Sequence, residues 1–118
     1  MNTQGELGEA QAADYLTRKG YNILARNYRA TGGEIDLVVR LKKTVVFVEV
    51  KQRSYDAFGG PLAAVTKTKQ LRIARAATQF IKTHTNVPYD NIRFDVICIL
   101  NGEITHLENA FFPPRTTI

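Results

Sequence analysis

The sequence predicts a single α/β domain in which a mixed central β-sheet is flanked by helices. Two observations predict this class: helical and extended patterns follow one another in the order helix, strands, helix, strands, and the length and composition suit one globular domain. The chain has 118 residues, of which 44% are hydrophobic and 23% are charged, and a domain of this size buries roughly two-thirds of its unfolded surface. We therefore expect one domain over residues 1–118, with its core at about residues 4–108 and a tail at residues 109–118.

A first helix is predicted over residues 4–19. Thr3 and Glu6 have the spacing of a capping box, and Gly20 supplies the residue type that most easily adopts a left-handed conformation after a helix. Within the helix, Glu9 lies in line with small apolar side chains at helical spacing. Its carboxylate therefore lies either at the edge of a buried stripe or beside a functional site.

Two β-branched segments predict a β-hairpin. They are residues 34–39 and 45–51, on either side of a short basic break, and a shorter extended stretch at residues 21–27 precedes them. Aromatic and glycine residues between Arg53 and Pro61 then predict a loop.

The second half of the chain predicts a helix followed by another hairpin. The helix covers residues 66–83 and a strand covers residues 92–100, and Asn101 and Gly102 form a tight turn before an edge strand at residues 103–107. The spacing predicts that the buried stripe of the helix consists of Ile73, Ala74, Ala77, Phe80 and Ile81.

The positive charge of the chain is concentrated in its middle. The whole chain carries a formal charge of +5 and has a sequence pI near 9.6, and residues 37–82 hold ten basic side chains against two acidic ones, a net charge of +8. Such a segment forms either a solvated Lys/Arg surface balanced by acids elsewhere in the fold, or a surface that faces a polyanion.

Several kinds of site find little support in the sequence. Cys98 is the single cysteine and lies in an apolar run, so we expect a core residue, no intrachain disulfide and no cysteine zinc cluster. His84 and His106 have no partners at metal-ligand spacing, and we interpret both as histidines at loop edges. Asp95 is interpreted as structural, with a basic helix residue as its expected partner. Because the sequence contains neither a run of ~20 apolar residues nor a basic and apolar start, the expected location is the cytoplasm.

The predicted hairpin brings charged side chains together if its turn lies at residues 42–43. Paired residue numbers then add up to 85, so that Asp36 lies opposite Glu49 and Glu34 lies opposite Lys51. Directly opposed residues of an antiparallel pair point to the same face, with Cβ atoms ~4.5–5.5 Å apart. The other face of the hairpin is expected to carry Ile35, Leu37, Val46, Val48 and Val50.

Two carboxylates side by side in a sheet repel each other, and a divalent cation resolves this conflict. Mg²⁺ takes oxygen ligands, binds through one or two carboxylates and keeps positions open for water and a phosphate oxygen. With Lys51 adjacent, Asp36 and Glu49 can orient an attacking water and offset the charge that develops on a phosphodiester. The alternative is an exposed hairpin face on which these three side chains form ordinary surface ion pairs.

Six short motifs along the chain together resemble the bacterial YraN family. In chain order they are residues 5–10 (GELGEA), 33–38 (GEIDLV), 47–53 (FVEVKQR), 58–59 (FG), 69–73 (KQLRI) and 93–96 (RFDV). The match spans roughly residues 5–100, which is most of the chain. This family is grouped with the PD-(D/E)XK nuclease superfamily, whose fold is similar to that of Holliday-junction resolvases and other restriction-endonuclease-like domains.

The resemblance implies a role for each matching residue. Asp36 would be the first metal-binding acid, and Glu49 and Lys51 would be the Glu-x-Lys pair. Glu9 would be an extra metal-binding acid from the first helix, so that these four residues would form a catalytic site with Mg²⁺ or Mn²⁺ as its cofactor. The basic residues that we expect to bind the nucleic acid are Arg53, Lys67, Lys69 and Arg72.

Three hypotheses follow from this pattern. The first is a metal-dependent endonuclease that hydrolyses phosphodiester bonds in nucleic acid, with DNA, including branched or structured DNA, as the expected substrate. The second is a nucleic-acid-binding or assembly module that keeps the nuclease fold without cleaving, and a third is a protein-interaction domain. A resolvase-like role would favour a homodimer, since symmetric cutting of two strands needs two sites.

Overall fold

A five-stranded mixed sheet lies between two helices in the computed structural model, which describes residues 4–53 and 65–113. In chain order the elements are α1 (Gln4–Arg18), β1 (Asn22–Ala30), β2 (Gly33–Leu41), β3 (Thr44–Arg53), α2 (Lys67–Thr83), β4 (Asn91–Leu100) and β5 (Glu103–Leu107). The strands lie side by side in chain order, and each neighbouring pair is antiparallel except β3 and β4, which are parallel. This arrangement confirms the predicted α/β class with a mixed sheet flanked by helices.

The two helices cover opposite faces of the sheet. Successive side chains of a strand point to opposite faces, so neighbouring residues contribute to different cores. The core under α1 is formed by Ala12, Ala13, Leu16, Tyr21, Leu37, Val39, Val46, Val48, Ile97 and Ile99. The core under α2 is formed by Ile35, Val38, Val45, Phe47, Val65, Ile73, Ala76, Ala77, Phe80, Val96 and Phe111.

Cys98 is buried, as predicted. Neither described helix is both long enough and apolar enough to cross a membrane.

Helix α1 ends as its sequence predicts. Gly20 has a φ of 96°, and the backbone N–H of Tyr21 returns to the carbonyl oxygen of Leu16 at 3.0 Å. The left-handed conformation of Gly20 lets the Tyr21 N–H reach a carbonyl of the last helical turn. The other half of the prediction involves Thr3, which lies outside the described residues.

The β2–β3 hairpin has the predicted register over its regular part. Its turn lies at residues 42–43, and the paired residues run from Leu41 and Thr44 to Leu37 and Val48. The pairing ends there, so the expected pair of Glu34 with Lys51 is wrong. Strand β1 runs to Ala30, beyond its predicted end, and pairs Glu34 with Arg29 instead.

Beyond this point the alternation of faces along β2 changes. Ile35 therefore lies in the core under α2, whereas Leu37 lies in the core under α1, and the expectation that both face the same core is wrong. A Cβ atom at Gly33 would overlap the backbone oxygen of Arg72, so that the start of β2 and the first half of α2 touch through their backbones.

Helix α2 begins one residue after its predicted start and buries most of the predicted stripe. The Thr66 side chain accepts a hydrogen bond from the backbone N–H of Lys69 at 3.2 Å, which satisfies one of the free donors of the first turn. The buried residues of the helix are Ile73, Ala74, Ala76, Ala77 and Phe80. Ile81 of the predicted stripe is half-buried and packs against the edge of this core.

The β4–β5 hairpin follows the prediction closely. Asn101 and Gly102 have φ angles of 50° and 82°, the left-handed pair that a two-residue hairpin turn requires. Strand β5 lies at the edge of the sheet, as predicted. Phe111, in the predicted tail, folds back and is buried in the core under α2.

Asp95 and His106 are more deeply buried than their sequence context indicates. Asp95 is fully buried and accepts hydrogen bonds from Arg93 Nε at 2.9 Å, His106 Nε2 at 2.7 Å and the Asn109 backbone N–H at 2.9 Å. Its basic partner is thus a strand residue rather than the expected helix residue. His106 is a strand residue whose side chain is 5% exposed, so its expected position at a loop edge is also wrong. Burial alone would raise the pKa of Asp95, but these hydrogen bonds outweigh it and lower that pKa.

Candidate active site

Asp36 lies where β2 parts from β3. Its Oδ2 accepts a hydrogen bond of 2.8 Å from the backbone N–H of Val50, so the side chain replaces the backbone partner that β2 no longer offers. This bond holds the carboxyl group of Asp36 against β3.

Glu49 is the buried member of the site. It is 7% exposed and forms a side-chain hydrogen bond with Asp36, so the two carboxyl groups meet although they are not paired in the regular ladder. Burial, and then the hydrogen bond to Asp36 and its negative charge, raise the pKa of Glu49 to about 8, against the opposing effect of Lys51 and Lys69. Glu49 therefore releases its proton less readily than an isolated glutamate does.

Glu9 reaches Asp36 from α1. Its carboxyl group forms side-chain hydrogen bonds with Asn27 and Asp36, and its pKa is raised by burial and then by the charge of Asp36. Glu9, Asp36 and Glu49 thus form a connected row of three carboxyl groups, which we call the carboxyl row. Sequence reasoning missed Asn27; the signal was an asparagine within a strand, where it takes a left-handed φ of 51°.

Two lysines stand beside the carboxyl row. Lys69 Nζ lies 3.2 Å from Glu49 Oε2, and the Lys69 side chain is 39% exposed. Burial, followed by a hydrogen bond from Lys69, lowers the pKa of Lys51, although the charge of Glu49 opposes this. Burial also acts to lower the pKa of Lys69, but its bonds to Lys51 and Glu49 raise it. Lys51 is therefore the lysine that releases its proton more readily.

The carboxyl row fits a hard divalent cation in its chemistry. Among residues 4–53 and 65–113, no three His, Cys, Asp or Glu side chains surround a single point as a complete metal cage does. Mg²⁺ does not require such a cage, since it binds through one or two carboxylates and keeps several waters. The negative charge of Asp36 raises the pKa of the buried Glu49, and a cation bound between the two carboxyl groups would offset that repulsion.

The residues predicted to bind nucleic acid fall into different settings. Lys67 and Arg72 are exposed on α2, whereas Lys69 belongs to the site through its ion pair with Glu49. Arg53 ends β3, and its side chain lies outside the described part of the structure, as do the predicted loop and Phe58. Arg75, which follows Arg72 at helical spacing, is also exposed.

Comparison with known proteins identifies one family. The model of an uncharacterised protein family, UPF0102, matches residues 8–99, a range that includes all four predicted catalytic residues. A UPF0102 protein of Saccharophagus degradans is 42% identical over 110 residues, covering 93% of this chain and 93% of that protein. A UPF0102 protein of Alkaliphilus oremlandii is 47% identical over 112 residues, covering 91% of this chain and 96% of that protein. A UPF0102 protein of Thermodesulfovibrio yellowstonii is 44% identical over 108 residues, covering 92% of this chain and 95% of that protein.

Proposed function

The chain belongs to the UPF0102 family, and we propose that it is a metal-dependent endonuclease that hydrolyses phosphodiester bonds in nucleic acid, with DNA as the expected substrate. The observation that carries the proposal is the meeting of Asp36, Glu49 and Lys51 where β2 parts from β3. The mixed sheet between helices, with the acids near the end of a hairpin, is compatible with the restriction-endonuclease-like fold that the motifs imply. The active molecule would be cytoplasmic, and a homodimer would suit symmetric cutting.

Each residue of the site has a task in this reaction. Asp36 and Glu49 would hold Mg²⁺ or Mn²⁺, and Glu9 would support Asp36 from α1. The bound cation supplies Lewis acidity to the phosphodiester and to its attacking water. Lys51, whose pKa is lowered, can accept a proton in its neutral form or orient the water in its charged form. Lys69 offers a positive charge to the phosphate once Glu49 has another partner.

The proposal is tested with purified protein and Mg²⁺ or Mn²⁺ on duplex, single-stranded and branched DNA and on RNA. We expect cleavage that falls by roughly 10²–10⁴-fold in Asp36→Ala, Glu49→Ala and Lys51→Ala, since each change removes a charge-stabilising or proton-handling group. Glu103→Ala is the matched control, because it removes an exposed strand carboxylate at the far edge of the sheet.

Two results would contradict the proposal. Cleavage that survives all three substitutions would show that this site does not carry the reaction. Tight binding of nucleic acid without cleavage under either metal would favour the non-catalytic binding module instead.

A further inference from the structure

A basic groove lies between α2 and the β1–β2 hairpin. It encloses about 630 Å³, and its charged lining residues are Arg29, Glu34, Arg72 and Arg75. We call it the α2 groove. Its surface therefore carries three positive charges and one negative charge, and the net excess suits an anionic ligand.

The arginines of α2 are available to a ligand. Arg72 and Arg75 are both exposed, and neither forms an ion pair with any residue of the described chain. Arg29 Nε lies 3.8 Å from Glu34 Oε2, and the two side chains are 82% and 59% exposed. Such an exposed pair contributes little and is easily replaced by a stronger partner.

Glycine residues keep the groove open at its base. A Cβ atom at Gly32 would lie 3.3 Å from Cδ of Arg75, so the arginine side chain passes directly over this glycine. Gly32 also has a φ of 83°, which strongly favours glycine at the turn. The absence of side chains at Gly32 and Gly33 thus lets the hairpin approach the helix and leaves the guanidinium groups lining the groove.

The α2 groove continues into the candidate active site. A second cavity of about 220 Å³ shares Glu34, Thr68 and Arg72 with it and adds Lys69. Lys69 contacts Glu49 of the carboxyl row. Lys69, Arg72 and Arg75 follow one another at three-residue intervals, which places their Cα atoms ~4.5 Å apart along the helix axis. This row of positive charges leads away from the site along one side of α2.

We propose that the α2 groove binds the sugar–phosphate backbone of one nucleic-acid strand next to the active site, with Arg72 and Arg75 as its phosphate contacts. The location of the strand rests on the proposed function, but the binding itself does not. Among the described lining residues none is aromatic, so the groove offers charge and the Thr68 hydroxyl rather than surfaces on which bases stack. Binding here should therefore depend little on base sequence.

The test is fluorescence anisotropy of a labelled DNA single strand and of its duplex, titrated with the full chain in EDTA at several salt concentrations. We expect Arg72→Ala and Arg75→Ala each to weaken binding and to reduce the slope of log K against log salt by about 0.7 on single strands and about 0.9 on duplex. Glu34→Gln should strengthen binding, because it removes the negative charge of the groove. Arg75→Lys should keep most of the slope.

Arg18→Ala is the matched control, since it removes one exposed arginine from α1 on the opposite face of the sheet. If Arg18→Ala changes the slope as much as Arg75→Ala, or if Arg75→Ala binds like the unmodified protein, the groove proposal is overturned. Binding is measured in EDTA and cleavage is measured separately with Mg²⁺ or Mn²⁺, so the two proposals can fail independently. If the groove variants bind DNA more weakly but the unmodified protein never cleaves, the groove proposal is supported and the nuclease proposal is contradicted. If the unmodified protein cleaves but the groove variants bind DNA as tightly as it does, the nuclease proposal is supported and the groove proposal is contradicted.

Discussion

Asp36 connects the backbone of the sheet with the chemistry of the site. The same carboxyl group accepts the hydrogen bond of Val50 and lies between Glu9 and Glu49. The sequence predicts that Asp36 and Glu49 meet, because the position of the turn sets which residues face each other. It does not predict how they meet, because their contact is a side-chain hydrogen bond at a point where β2 and β3 are no longer paired.

The raised pKa of Glu49 leads to a prediction about stability. In the folded chain Glu49 keeps its proton up to about pH 8, whereas the unfolded chain releases it near pH 4.5. The contribution of this group to the free energy of unfolding is therefore complete below about pH 4.5 and is lost as the pH rises through about 8. Urea unfolding in EDTA across this range should show that Glu49→Gln, which resembles the protonated form, loses less stability than the unmodified protein.

Asp36→Asn supplies a second arm of this experiment. Removing the negative charge beside Glu49 should lower the pKa of Glu49 and move the loss of stability to lower pH. If the free energy of unfolding of the unmodified protein and that of Glu49→Gln change in parallel from acidic to alkaline pH, the raised pKa of Glu49 is contradicted.

At the level of elements, the close contact between β2 and α2 positions half of the site. Gly33 lies against the backbone of Arg72, and the same part of α2 presents Lys69 to Glu49. The sequence predicts both elements from their periodicity. It does not predict their contact, because a glycine that allows two backbones to touch is not distinguishable in sequence from a glycine that forms a turn.

Gly33→Ala should push α2 away from β2. We expect a loss of about 1–3 kcal/mol in the free energy of unfolding, the usual range for overpacking, and weaker DNA binding, because Lys69 and the arginines of α2 move with the helix. Chemical denaturation and anisotropy measure the two effects on the same variant.

Gly102→Ala serves as the control for this change. Its Cβ would meet nothing within 4 Å, but its φ of 82° gives the alanine a strained backbone at the β4–β5 turn. It should cost about 1–2 kcal/mol and leave DNA binding unchanged. Equal loss of binding in both variants would mean that general destabilisation, rather than the position of α2, explains the effect of Gly33→Ala.

At the scale of the whole molecule, the sheet separates two cores and carries the site at one end of its central strands. The prediction of an α/β domain succeeds because the spacing of apolar residues clearly distinguishes the helical segments of the sequence from the extended ones. Among the features that escaped it are the buried environment of Asp95 and His106 and the recruitment of Lys69 to Glu49. Both depend on which elements pack together, and local patterns do not contain that information.

Cation binding by the carboxyl row should stabilise the whole domain. A ligand at about 100 times its Kd adds about 2.7 kcal/mol to the free energy of unfolding when it binds the folded chain alone. Mg²⁺ or Mn²⁺ should therefore raise the melting temperature of the unmodified protein and of Glu103→Gln, measured at constant ionic strength, but not that of Asp36→Asn. An equal rise in all three proteins would contradict a specific cation site at Asp36.

The parallel pairing of β3 with β4 has a consequence for how the site is assembled during folding. The three acids and Lys51 come from α1, β2 and β3, whose strands are joined by a short hairpin. Lys69 and the arginines of α2 lie on the connection between β3 and the parallel strand β4, which follows much later in the chain. Contacts between neighbouring segments form faster than pairings between distant ones. We therefore expect the acidic half of the site to arise from early local structure, while its basic half waits for the last long-range closure of the sheet.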